Sequence, residues 1–81
     1  MMATETHPHF AANGLIVSNP AILGGRPVFA GTRVPADALF DYLNDGLSLD
    51  YFLESFPSVS RESAEAVCRY GHERIMSELG I

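Results

Sequence analysis

Residues 48–60 read Ser48-Leu49-Asp50-Tyr51-Phe52-Leu53-Glu54-Ser55-Phe56-Pro57-Ser58-Val59-Ser60. Leu49, Phe52, Leu53 and Phe56 recur at i, i+3, i+4 and i+7, which puts four large apolar side chains on one helical face. Ser48 stands where an N-cap hydroxyl is wanted, and Asp50 sits in the first turn, where the helix dipole favours an anion. Pro57 ends the run because it lacks the N–H and fixes φ. Ser60 then caps another helix, with Glu62 in its first turn. This stretch therefore predicts a helix over about 49–56, a tight turn, and a second helix starting at 61. Downstream, Ala64, Val67, Cys68, Gly71, Ile75 and Leu79 continue one apolar stripe to Gly80, so the second helix is expected to run over about 61–79. Upstream, Pro35 suits a first helical turn, Ala36, Leu39, Tyr42 and Leu43 share a face, and Gly46 is a natural stop. A helix is expected there over about 36–45.

Further upstream the period changes. Leu15-Ile16-Val17 is a short β-prone run, closed by the turn signal Ser18-Asn19-Pro20. Gly24-Gly25 marks a second turn. Pro27-Val28-Phe29 and Thr32-Arg33-Val34 flank Ala30-Gly31, the composition of a small hairpin with Gly31 able to take positive φ. Two or three short strands are expected between 15 and 34. Residues 1–13, with Pro8, His7 and His9, read as a mobile tail. The fold class is thus mainly α with a small β element: a three-helix, helix–turn–helix unit of homeodomain-like or winged-helix-like type behind an N-terminal β-hairpin, with 14–81 as one domain. The expected third helix is about 28 Å long against about 15 Å for its predecessors, at 1.5 Å per residue. Its last turns therefore extend past the local core, and Ile75, Met76 and Leu79 need cover. Either a homodimer seam or partner protein supplies it, or the strands fold back over them.

The chain has 81 residues, of which 47% are hydrophobic. That is room for one domain, and too apolar for intrinsic disorder. No run approaches the ~18 apolar residues of a membrane span, and the first residues lack the pattern of a signal peptide, so a cytoplasmic protein is expected. Cys68 is the single cysteine, which excludes an intramolecular disulfide. Net charge is −5, unevenly spread. Between Thr6 and Ala36 there are two arginines, Arg26 and Arg33, and no acid, whereas nine acids and three arginines follow from Asp37 onward. Every fixed cation is an arginine, the side chain that forks onto carboxylate or phosphate. A cationic front and an acidic back suggest two surfaces with two partners.

No catalytic constellation is legible. His7, His9 and His72 lie near no nucleophile or carboxylate at a recognisable spacing, so no enzyme, cofactor or resident metal is expected. His7-x-His9 is a two-ligand pair at most. Cys68, on the apolar stripe, reads as a buried structural thiol. Asp37, Asp41 and Asp45 recur every four residues as a solvated acidic face, with a protein contact as the second reading. Gly24-Gly25-Arg26-Pro27 lacks the Lys-Ser/Thr ending of a phosphate loop, but it can present Arg26 from a turn. The helix–turn–helix reading would put Arg61, Ser63 and Arg69 on a DNA-facing helix, opposed there by Glu62 and Glu65.

The order Asn19-Pro20, Gly24-Gly25-Arg26-Pro27 and Gly31-Thr32-Arg33-Val34-Pro35 resembles the signature of a family of small prokaryotic proteins, domain of unknown function four-three-three. The likeness covers about residues 14–71. It continues through a short helix, the Gly46-Leu47-Ser48 turn, a second helix ending at Phe56-Pro57, and a long third helix. The resemblance implies a homeodomain-like helical unit with a small β element. It also implies the antitoxin half of a type II toxin–antitoxin pair, whose partner is a PIN-like ribonuclease with a carboxylate-built metal site and which also binds its own promoter DNA. On that reading Arg26 or Arg33 enters the acidic pocket and forks onto a carboxylate, Ile75, Met76 and Leu79 complete the toxin contact, and Arg61, Ser63 and Arg69 meet DNA in a homodimer. The competing reading of the arginines is that they brace the hairpin against helical acids. The competing function is a stand-alone helix–turn–helix transcription regulator. A purely structural dimerising adaptor is a third.

Overall fold

The computed structural model describes residues 8–80. Three short strands, β1 (His9–Ala11), β2 (Ile16–Ser18) and β3 (Val28–Phe29), form an antiparallel sheet in the order β1-β2-β3. Four helices follow: α1 (Ala36–Asn44), α2 (Leu49–Ser55), α3 (Arg61–Tyr70) and α4 (His72–Leu79). The molecule is mainly helical with a small sheet, as the change of period predicts.

The sheet starts earlier than expected. Residues 9–13 belong to the fold, because β1 pairs with β2 in the register Phe10↔Val17 and Ala11↔Ile16. Ala11 and Ala12 are buried. Ala12 and Asn13 take left-handed φ of 54° and 56° to close the turn, and the Ala12 N–H donates to Glu78 Oε1 at 2.9 Å. The remainder of the expected tail, including His7, lies outside the described residues. The hairpin expected over 27–34 forms only in part: β3 pairs with β2, and residues 32–34 form no strand. Phe29 N–H donates to Val34 O at 2.9 Å, and Val28 bridges Pro35.

Helices α2 and α3 begin where the hydroxyls stand. Ser48 Oγ accepts from Tyr51 N–H and Ser60 Oγ from Ser63 N–H, each at 3.0 Å. The expected helix over 61–79 is two helices. Gly71, at φ 86° and ψ 148°, breaks the axis in a conformation open essentially to glycine alone. The break turns α4 back so that it packs against β1. Ile75 is fully buried, and Met76 and Leu79 pack against the core. The stripe that needed cover is covered from within the chain, by the strand that composition had assigned to the tail.

The core joins sheet and helices through Ile16, Val28, Phe29, Leu39, Phe52, Val67 and Ile75, all at most 2% exposed. Phe52 is its hub: its ring lies 6.1 Å from Phe29, 5.5 Å from Tyr42 and 5.1 Å from Phe56. Leu43, expected on the buried face of α1, is exposed, because Tyr42 takes the place against α2. None of the buried side-chain polar atoms of the described residues lacks a hydrogen-bond partner.

Candidate protein-interaction site

Two exposed arginines stand on turns that the sequence builds tightly. The first turn begins at Asn19, whose Oδ1 accepts from Ala21 N–H at 2.9 Å and whose carbonyl accepts from Ile22 N–H at 2.8 Å. Leu23, Gly24 and Gly25 then run at positive φ, and Ser18 Oγ–H donates to Gly25 O. That sequence of bonds fixes where Arg26 leaves the surface. In the second turn, Thr32 Oγ1 donates to Phe29 O at 2.8 Å and accepts from Val34 N–H at 3.0 Å. The hydroxyl holds both ends of the turn that carries Arg33. Among the described residues, neither Arg26 nor Arg33 has an acid within ion-pair distance. The reading in which they brace the hairpin against helical acids therefore finds no partner there.

The other sequence-selected residues fare differently. Arg61 is engaged: it pairs with Asp50 and lies 3.6 Å from Glu65. The Asp50 hydrogen bond and charge, with a smaller contribution from Glu65, raise its affinity for its proton. Ser63 is spent at the helix start, its N–H on Ser60 Oγ and its hydroxyl accepting from Ser60 Oγ–H at 2.9 Å. Arg69 is exposed and has no acid within ion-pair distance among the described residues. Ile75 is inaccessible, so the expectation that it meets a toxin directly is corrected: α4 folds onto β1 and the side chain is core. Met76 and Leu79 are half-buried. Cys68 is half-buried as well, and burial followed by the nearby Glu65 charge pushes its thiol pKa up, against reactivity.

A groove that sequence reasoning missed runs between α1 and α4. It encloses about 410 Å³ and is lined by Asp37, Phe40, Asp41, Asn44, His72 and Met76. Phe40 and Met76 supply apolar surface, and Asp37, Asp41 and Asn44 supply oxygen acceptors. His72 Nε2 lies 3.0 Å from Asp37 Oδ1, and its ring meets Phe40 edge-on at 5.2 Å. Asp41 has no ion pair among the described residues. The signal was present as Asp37, Phe40, Asp41 and Asn44 at i, i+3, i+4 and i+7, but its second wall exists only because the chain turns at Gly71. The described residues hold no cluster of three or more His, Cys, Asp or Glu suited to a metal ion, and no helix among them is long and apolar enough to cross a membrane.

A family model described as "Protein of unknown function (DUF433)" matches residues 16–71. The chain is similar to the uncharacterized protein y4eO of Sinorhizobium fredii (strain NBRC 101917 / NGR234), 37% identical over 76 residues, a match covering 85% of this chain and 34% of that protein. It is also similar to the uncharacterized protein ORF77 of Ostreid herpesvirus 1 (isolate France), 35% identical over 49 residues, covering 60% of this chain and 4% of that protein. The chain thus spans about a third of the length of the first relative and a small part of the second. No solved structure matches it significantly.

Proposed function

The chain belongs to the DUF433 family, and we propose that this member is a cytoplasmic, non-enzymatic antitoxin that neutralises a PIN-like ribonuclease. The observation that carries the reading is the pair Arg26 and Arg33: exposed, on tightly bonded turns, with no acid within ion-pair distance among the described residues. A guanidinium held out in this way forks onto a carboxylate at little conformational cost, and a carboxylate-built metal pocket is the complementary surface. The net charge of −5 favours encounter with a basic ribonuclease. Met76 and Leu79 contribute at most the exposed parts of their side chains.

The test is affinity capture of the tagged chain from its native host, followed by ribonuclease assays. Recovery of a small PIN-like ribonuclease, inhibited by the wild type and not by the Arg26→Ala, Arg33→Ala double variant, is the expected result. A double variant that inhibits as well as wild type overturns the arginine insertion. If no ribonuclease is recovered with a folded bait and an expressed neighbouring gene, the antitoxin reading falls.

A second activity, binding of the chain's own promoter, rests on the α2-turn-α3 pair read as a helix–turn–helix. Arg69 is the cation that favours it. Arg61 would first have to leave Asp50 and Glu65. If DNA binding is tight without any second protein, the chain is instead a stand-alone regulator.

A further inference from the structure

We propose that the groove between α1 and α4 receives Arg33 of a second copy of this chain, in a reciprocal twofold dimer. The groove offers what an arginine needs. The Asp41 carboxylate, without an ion pair among the described residues, can accept a two-pronged guanidinium bond, and Asn44 Oδ1 can accept a further N–H. Phe40 and Met76 provide apolar cover for the aliphatic stem.

The occupant follows from charge and from position in the chain. The groove wall belongs to the acidic part of the sequence, and the cations of the acid-free part are Arg26 and Arg33. Arg33 lies three residues before α1, and Asp41 is the sixth residue of that helix. Yet Arg33 makes no ion pair with a described acid of its own chain. Donor and acceptor thus lie just before and within α1, and neither has an ion pair among the described residues of its own copy. Such an arrangement is self-complementary: across a twofold axis, Arg33 of each copy meets Asp41 of the other, and the contact closes at two.

The contact itself does not depend on the antitoxin reading. One consequence does: Arg33 held in the groove is withheld from a ribonuclease, so self-association and neutralisation compete.

Sedimentation velocity of the chain alone, over a concentration series at low salt, tests the proposal without any toxin. The wild type is expected to go from monomer to dimer and no further. Arg33→Glu and Asp41→Arg, each verified as folded by circular dichroism, are each expected to weaken the dimer on the order of tenfold or more. Mixed together they are expected to recover it, because both contacts across the axis then again join opposite charges. A wild type that stays monomeric throughout overturns the proposal. So do single variants that dimerise like the wild type, a mixture that does not recover, and a wild type that grows beyond two.

Discussion

At the scale of single residues, Gly71 has the largest effect on this fold. At φ 86° and ψ 148° it occupies backbone space that a Cβ makes costly, although no atom of another element lies within 4 Å of where that Cβ would sit. The penalty is therefore conformational and not steric against a neighbour. Gly71→Ala is expected to cost about 1–3 kcal/mol in urea unfolding. It should also loosen α4 from β1, seen as faster amide exchange at Ile75. Cys68 gives an opposite kind of residue-scale expectation. Burial raises its pKa and withholds the nucleophilic thiolate, so alkylation by iodoacetamide near neutral pH should be slower than that of free cysteine, and should match it after denaturation.

At the scale of elements, strand β1 and helix α4 stabilise each other. Neither has a good reason to be ordered alone: β1 is three residues long and α4 is eight. The Ala12 N–H to Glu78 Oε1 bond ties the turn that follows β1 to α4, across 66 positions of sequence. Glu78→Ala should leave that N–H to water and cost about 1 kcal/mol, read most directly as accelerated exchange at Ala12. Helix α3 depends instead on its own sequence. Ser60→Ala removes the oxygen that accepts from Ser63 N–H and should cost about 1 kcal/mol, with little effect on β1. The contrast separates an element specified locally from a pair specified only by mutual contact. It also explains why the caps at Ser48 and Ser60 were legible in the sequence, whereas β1 was not: His9-Phe10-Ala11 is too short and mixed to declare a strand without its partner.

At the scale of the molecule, one aromatic hub serves both layers. Phe52, fully buried and within 6.1 Å of the rings of Phe29, Tyr42 and Phe56, connects the sheet to α1 and α2. Phe52→Ala should cost about 3–5 kcal/mol, a large share of the about 4–12 kcal/mol expected for a chain of this size. Thermal unfolding of that variant should lose sheet and helix together. Charge acts at the same scale. With Arg61 occupied by Asp50 and Glu65, a twofold dimer would bring chiefly its two Arg69 side chains to DNA from α3. The logarithmic salt slope of any DNA binding through that face should then be no steeper than about −2.

The sequence by itself determined the starts of α1, α2 and α3, the Pro57 and Gly46 stops, the predominance of helix, the turns that carry Arg26 and Arg33, and the family. Each of these is written in residues close together in the chain: a hydroxyl before an apolar stripe, paired glycines, a glycine between two β-prone runs. The tertiary structure alone decided that Gly71 divides a helix, that β1 joins the sheet, that Ile75 is core and that Asp37, Asp41 and His72 share a groove. An apolar stripe records that a face must be buried, but not by what. The stripe from Ala64 to Leu79 reads the same whether a partner covers it or the chain's own first strand does, and only the contact between residues far apart in sequence distinguishes the two.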